Sequence, residues 1–474
     1  MAFILGQAIF VFTVLLLLSY LMLGTYSAIS LNKYFKKNSF VNYNTLVLSP
    51  LSPHVSIIAP AYNEGKTIVD NIRTLLSLYY NQFEVIIVND GSTDDSLQKV
   101  IEAYSLVKVQ YFFDYLMPCE RIRAVYRSEN PSYSRLTVID KVNGGKSDSL
   151  NAGINVSRSK LIVSIDTDSI IENESLLKLV KPFLEEKDKK VIGTGGVIRI
   201  VNSCEVVRGH IKKINLPKSF LPRLQVLEYT RAFLLGRMAW SQLDGLMLIS
   251  GAMGMFDRDT VIKAGGYSTK TVGEDMELVL RMRRFMNEQR RTYEVTYIPD
   301  PLCWTEAPSD VRTLGRQRSR WTRGLIQSLY SHRKMFMNPR YRVLGMMSFP
   351  YWVFFEWLAP LLALAGFIYT GYLIINHMMN WPFYLLLFVF VYTVALMLST
   401  WSILYEEITF HKYRQKRDVL KLFLTAMLEP FFYPFHTIFA LKGNLDVLFN
   451  KKGWGKQKRK GFDNKGKKSK SSKE

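Results

Sequence analysis

The chain has 474 residues, 48% of them hydrophobic, and a formal net charge of +22. That length exceeds one small domain, and a mean hydropathy of +0.02 fits a soluble domain averaged with membrane segments. The charge does not single out nucleic acid, because much of it lies in residues 451–473 and beside apolar segments, where anionic lipid headgroups account for it. The tail from Lys451 holds only Trp454 and Phe462, too few aromatics for a stacking groove. Cys119, Cys204 and Cys303 stand far apart with no CxxC pair, so they read as reduced bystanders rather than a disulfide or metal framework.

Residues Ala2–Leu31 form an uncharged apolar run, long enough to cross a ~30 Å hydrocarbon core. It is longer than the apolar region of a secretory signal and lacks a basic start, which favours an anchor over residues 1–32. Residues 33–53 then read as a linker to a soluble domain over 54–333. Further spans are expected near Phe354–Ile375 and Phe383–Tyr405, separated by the short, uncharged Asn376–Pro382 as in a hairpin. Lys33, Lys36 and Lys37 follow the first span, and His411, Lys412, Arg414, Lys416 and Arg417 follow the last. By the positive-inside rule both groups are cytoplasmic, which predicts a multi-pass inner-membrane protein with its middle domain inside. Val343–Val353 reads as interfacial. Leu422–Phe449 is apolar but carries Glu429, Pro430, Pro434 and His436, which are costly within a span. It is expected to be interfacial or re-entrant, leaving the basic tail, 450–474, cytoplasmic.

Within the soluble domain, Val55–Ala59, Glu84–Val88 and Leu161–Ile165 are short β-rich runs alternating with helix-like segments. This pattern predicts a Rossmann-like α/β domain with a mostly parallel sheet, and such sheets bind ligands at the carboxyl ends of their strands. The informative polar residues fall there. Tyr62 and Glu64 follow the first run, and Asp90 follows the second in Asn89-Asp90-Gly91-Ser92, a sequence that by itself would suit an ordinary turn. Gly144-Gly145-Lys146-Ser147-Asp148 opens a helix but is not a P-loop, since position 140 is Asp rather than Gly.

Asp166-Thr167-Asp168 follows the third run, and strand alternation points both carboxylates to one side. Like charges so placed call for a divalent cation, and Mg²⁺ or Mn²⁺ takes such hard oxygens together with substrate phosphates. Gly273-Glu274-Asp275 begins a helix-like run, where acidic first-turn residues are also structurally ordinary. In Gln317-Arg318-Ser319-Arg320-Trp321, helical spacing gives Gln317, Arg320 and Trp321 a common face.

In order and spacing these motifs resemble the D, DxD, [TG]ED and QxxRW signature of family 2 glycosyltransferases. The likeness is to the membrane-bound processive kind that makes cellulose, chitin, hyaluronan and poly-N-acetylglucosamine. The resemblance covers roughly Val55 to Arg333 and the flanking membrane segments, and implies a GT-A fold and a hexosyltransferase using a UDP-sugar. It assigns Tyr62, Glu64, Asp90 and Gln317 to the nucleotide, and gives Lys146 and Arg320 to the diphosphate with Asp148 as a nearby polar contact. Asp168 becomes the metal ligand, with Asp166 positioning nucleotide and metal. Asp275 becomes the general base, with Glu274 beside it in the catalytic pair, and Trp321 the acceptor platform. Ser250-Gly251 resembles the start of the small-residue strand bordering the acceptor. Trp454 resembles the tryptophan of a gating loop in hyaluronan and chitin synthases, although Lys456 replaces the usual Thr.

The function expected from this resemblance is processive, inverting elongation of an exopolysaccharide from UDP-GlcNAc or UDP-glucose, with passage of the product across the bilayer. An accessory export subunit is compatible with it. Single transfer to a lipid carrier and a non-catalytic export scaffold are the alternatives. Asp168 and Asp275 weigh against the scaffold, which has no need of them.

Overall fold

The computed structural model describes residues 2–38, 43, 47, 49–207, 209–413, 415–449 and 451. Trp454 lies outside the described residues.

The strands are β1 (Val55–Ala61), β2 (Phe83–Asn89), β3 (Leu106–Val109), β4 (Ile122–Ser128), β5 (Leu136–Lys141) and β6 (Leu161–Ile165), followed by β7 (Ile170–Ile171), β8 (Lys190–Ile200), β9 (Glu205–Val207), β10 (His210–Lys213), β11 (Met253–Asp257) and β12 (Tyr293–Thr305). Ten of them form one sheet in the order β3-β4-β5-β2-β1-β6-β11-β8-β12-β7, and β9 pairs with β10. The central run β5-β2-β1-β6 is parallel, as expected of apolar strands buried on both faces. Antiparallel pairing enters at the margins, where β11 opposes both β6 and β8 and β4 opposes β5. Register pairs Ala61 with Asn89 and Asn89 with Asp140, so the carboxyl ends of neighbouring strands form one edge. Every motif that follows a strand end therefore opens onto the same side of the domain.

Eight helices matter for the site. They are α1 (Ala2–Asn38), α2 (Lys146–Val156), α3 (Phe220–Thr230), α4 (Glu274–Glu288), α5 (Val311–Ser331), α6 (Ala359–Ile375), α7 (Trp381–Thr409) and α8 (Lys416–Leu448). Gly6–Asn38 and Trp381–Thr409 are long and apolar enough to cross a membrane, and the pair Leu344–Trp357 and Ala359–Ile375, bent by 40°, qualifies as a third span if taken together.

Their packing fixes their directions. Near the amino ends of α1 and α7, Phe10 meets Phe383 with ring centroids 5.8 Å apart, and Gly6 of α1 lies against Tyr369 of α6. Toward the carboxyl end of α1, Ser27 donates to the Leu234 carbonyl and Tyr34 to Asp300 of β12. At the carboxyl end of α7, Glu406 pairs at 2.6 Å with Arg199 of β8, both side chains buried. Thus α1 and α7 run toward the domain while α6 runs away from it, and α6 and α7 form a hairpin whose turn is distant from the sheet. Helix α1 continues to Asn38, past the linker boundary expected at residue 33, because its last turns pack on the domain.

Helix α8 covers the segment read as interfacial or re-entrant. It is one continuous helix of 33 residues, about 50 Å long at 1.5 Å per residue, and it does not fold back. Glu429 is paired with Arg231 at 2.5 Å and accepts from Ser399 at 2.8 Å, while His436 meets Glu228 at 2.8 Å. Side chains of α3, the turn after it and α7 pair with the polar groups that seemed to interrupt it.

Candidate active site

The loop after β5 is organised around Asp90. This carboxylate is 4% exposed and accepts from Lys141 Nζ at 2.7 Å, Gly144 N at 2.9 Å and Gly145 N at 2.8 Å. Gly145 sits at φ +87 immediately before α2, a conformation that glycine adopts without strain. Asp90 therefore shapes the loop that leads into α2, and both its oxygens are engaged in doing so. Lys141, which the motifs did not single out, is fully buried and also pairs with Asp148 at 2.6 Å. Asp148 in addition accepts from the Glu120 backbone N–H at 2.9 Å. It faces this internal network and does not line the cavity described below. The expected polar contact from Asp148 to the nucleotide is thus not what the structure brings together: Lys141 has turned that carboxylate inward.

Lys146, two residues earlier, points the other way. Its Nζ lies 2.6 Å from Asp166 and 3.0 Å from Glu274, and 3.3 Å from the Gly251 carbonyl. Burial disfavours its charge, but the two carboxylates overcome that and raise its pKa. Glu274 is 4% exposed; burial pushes its carboxyl up, Lys146 pulls it down, Asp275 pushes it up again, and the net shift is upward. Asp275 accepts from Gly251 N at 3.1 Å and from Met276 N at 2.9 Å. One lysine thus joins the DxD turn, the start of α4 and the turn before β11. Asp166 and Asp168 follow β6 directly, in a turn held by Asn71 donating to the Thr167 carbonyl at 2.5 Å and by Thr167 donating to that of Pro60 at 2.6 Å.

The turn carrying Asp275 is fixed by α5. Gln327 Oε1 accepts from Val272 N at 3.0 Å, and Gly273 packs so closely on Gly324 that a Cβ would come within 2.8 Å of its Cα. The resemblance allows Thr or Gly at this position; here the contact of backbone on backbone requires Gly. One helix therefore carries both the QxxRW residues and the seat of Asp275.

Further along α5, Trp321 is 40% exposed with its ring 6.5 Å from that of Tyr229. The Arg318 guanidinium lies 4.4 Å from the Trp321 ring centroid and is bound by Glu228. Burial would raise the Glu228 carboxyl, but Arg318 and His436 bring it down to about 2. Gln317 Oε1 is buried without a hydrogen-bond partner among the described residues. Arg318 and Glu228 escaped the motif reading; the spacing of Arg318 three residues before Trp321 is the signal that could have found the former.

These residues border one continuous cavity of about 2540 Å³, well beyond the ~300–1,000 Å³ of a usual ligand pocket. At one end it is lined by Tyr62, Glu64, Asp90, Lys146, Asp166 and Asp168. Ser250, Gly251, Glu274, Asp275, Gln317, Arg320 and Trp321 border its middle, and the other end runs between α1, α6, α7 and α8, past Tyr20, Phe355, Tyr392 and Tyr433. Among the described residues no three His, Cys, Asp or Glu side chains cluster as a metal cage. Two carboxylates at a strand end suit an ion such as Mg²⁺, which keeps most of its coordination for water and substrate phosphates.

Comparison with known proteins bears on this arrangement. Poly-β-1,6-N-acetyl-D-glucosamine synthase of Staphylococcus epidermidis is 26% identical over 270 residues, 57% of this chain and 54% of the relative. The enzyme of that name from Staphylococcus aureus strain COL is 26% identical over 293 residues, 60% of this chain and 59% of the relative. The chain thus spans little more than half the length of these curated relatives. Among solved structures, the mannosyltransferase PcManGT of Pyrobaculum calidifontis, in complex with GDP-Man and Mn²⁺, aligns over 92% of this chain and 100% of its own at 14% identity and a TM-score of 0.49. Residues 53–324 match the family model described as glycosyltransferase like family 2, more than half of the chain, and with its sheet and motif order the chain belongs to glycosyltransferase family 2, with the GT-A fold.

Proposed function

We propose that this chain is a processive, inverting β-glycosyltransferase that elongates a polysaccharide from a UDP-sugar and passes the product between its own helices. The observation that carries the reading is the single cavity linking the DxD edge, Asp275 and Trp321 with the space between α1, α6, α7 and α8. UDP-GlcNAc is the proposed donor over UDP-glucose, in keeping with the product named for the staphylococcal relatives. The proposed organisation is an anchor over 1–32 whose helix runs on to Asn38 within the linker over 33–53, a transferase domain over 54–333, interfacial and membrane helices over 334–449 and a basic tail over 450–474. Lys33, Lys36 and Lys37 in the last turns of α1, and His411 and Lys412 after α7, lie on the domain side of the bundle, which supports a cytoplasmic domain at the inner membrane.

In this mechanism Tyr62, Glu64 and the Asp90 loop receive the nucleotide. Arg320, and Lys146 at the start of α2, face its diphosphate, where a helix amino terminus also favours negative charge. Asp168, with Asp166 behind it, would hold Mg²⁺ or Mn²⁺, and the ion, when bound, supplies positive charge to the departing diphosphate. Trp321 receives the apolar face of the terminal acceptor sugar. Asp275 takes the proton of the acceptor hydroxyl as that oxygen attacks the anomeric carbon from the side opposite UDP. The bond from the anomeric carbon to the phosphate oxygen breaks and its electron pair leaves with UDP. Glu274 keeps Lys146 in place rather than touching the reacting atoms.

The test is to incubate the reconstituted protein with separately labelled UDP-sugars and digest the product with linkage-specific hydrolases. Long polymer from UDP-GlcNAc, cleaved by a β-N-acetylglucosamine-specific enzyme, is the expected result. A one-sugar lipid adduct as the sole product would replace this reading with single transfer.

A further inference from the structure

One helical face opposite Trp321 belongs to no motif. After α3 the chain continues through a π-helical turn, Arg231–Arg237, a geometry found often at functional sites. It places Tyr229, Phe233 and Arg237, each four residues from the last, along the same cavity. The rings of Tyr229 and Phe233 meet edge to face at 5.4 Å, and Tyr229 in turn faces Trp321. The Arg237 guanidinium lies 4.1 Å from the Phe233 ring centroid, and its Nη1 is buried without a hydrogen-bond partner among the described residues. Asp275 is within its electrostatic reach.

The geometry points to Arg237 as an acceptor-binding residue, donating to a hydroxyl or carbonyl oxygen of a neutral sugar that lies on Trp321. A buried donor with no acceptor is costly, and the cation on Phe233 is held ready for a partner that the protein itself does not supply. The partner is neutral rather than anionic because Asp275, whose charge reaches Arg237, would repel a second negative charge, while the exposed Trp321 ring suits the C–H face of a pyranose. Arg237 is also distinct from the donor side, whose cations are Lys146 and Arg320.

This inference rests on the proposed transferase reading, and its test separates the two. Full-length protein in nanodiscs is given UDP-GlcNAc and a β-1,6-linked N-acetylglucosamine tetrasaccharide, and acceptor KM, kcat and UDP affinity are measured for wild type, Arg237→Gln and Arg237→Lys. For Arg237→Gln the expected result is an acceptor KM raised about 10- to 100-fold, the range for loss of a charged hydrogen bond, with UDP affinity within about twofold. Arg237→Lys should recover part of the loss, and it serves as the test variant should the Gln form not fold. An unchanged acceptor KM in the folded variants overturns the assignment, and so does UDP affinity falling in parallel, which would put Arg237 on the diphosphate. If wild type extends no acceptor with any UDP-sugar, the transferase reading itself fails and this inference falls with it.

Discussion

Lys146→Met tests the centre of the site, because a single ammonium there faces two motifs. It lies 2.6 Å from Asp166 and 3.0 Å from Glu274, with side-chain exposures of 15% for the lysine, 32% for Asp166 and 5% for Glu274. The Asp166 contact, about a third exposed, is partly screened by solvent, so most of the cost comes from the buried Glu274 side. Breaking a buried pair costs about 3–5 kcal/mol, enough to lower the melting temperature visibly. Losing a charge-assisted contact to the diphosphate costs about 1.5–3 kcal/mol, or roughly 10- to 150-fold in rate. The titration of Glu274 is more diagnostic. Burial already holds the Glu274 carboxyl above its ordinary range, and Lys146 is the group that draws it down. With methionine in place Glu274 takes its proton at a still higher pH, whereas Lys146→Arg, which keeps the charge, should leave it near its wild-type place. The assay is the pH dependence of the protonated carboxyl band in difference infrared spectra of the three proteins, beside UDP affinity and kcat/KM. A Met variant with wild-type UDP affinity and an unmoved carboxyl titration would refute the coupling of Lys146 to both.

Asp275→Asn should bind UDP normally yet lose roughly 10²–10⁴-fold in elongation, the usual worth of a positioned base; wild-type polymer yield would remove Asp275 from that role. Asp168→Ala should lose UDP-sugar affinity and activity together, and EDTA should do the same to the wild type, with recovery in Mn²⁺ or Mg²⁺. Undiminished synthesis in chelator excludes the metal. Trp321→Ala should give short or absent product with UDP affinity kept, whereas Arg320→Ala should weaken UDP binding by about 1.5–3 kcal/mol; product length on gels beside calorimetry separates them, and identical profiles would mean that the two residues do not serve opposite substrates.

The sheet was legible where apolar runs were short and ended in polar turns. Val55–Ala59, Glu84–Val88 and Leu161–Ile165 all lie within adjacent parallel strands, and the motifs after them meet because parallel register aligns their carboxyl ends. The margins were not legible, since an antiparallel strand such as β11 carries the same buried pattern as a parallel one. The orientation of Asp148 was hidden for a different reason. It stands two residues after Lys146, and a helix turns neighbouring side chains apart; which of them faces substrate depends on Lys141, buried at the end of β5. The ion pair of Glu429 was not legible because hydropathy counts an acid without its partner, and Arg231 stands 198 residues earlier. Composition shows the cost of such a group, never the cation that offsets it.

The partners of α5 explain how chemistry at Asp275 stays in register with the helices that line the rest of the cavity. On one side α5 meets the Asp275 turn through Gly324, backbone on backbone, and through the side-chain amide of Gln327. On the other side it meets α8, where Gly443 lies so close that a Cβ would fall 2.6 Å from Thr322, and Asp446 accepts from Ser319 at 2.8 Å. Helix α8 is tied in turn to the π-helical turn and α7 through Glu429, which both Arg231 and Ser399 contact. Close-packed interiors transmit displacement rather than absorb it. A shift of α5 therefore moves Trp321 together with the turn that seats Asp275. In the proposed mechanism a base seated against the helix that carries the acceptor platform keeps its spacing to that platform through each addition, which a chain-elongating enzyme needs and a single-transfer enzyme does not.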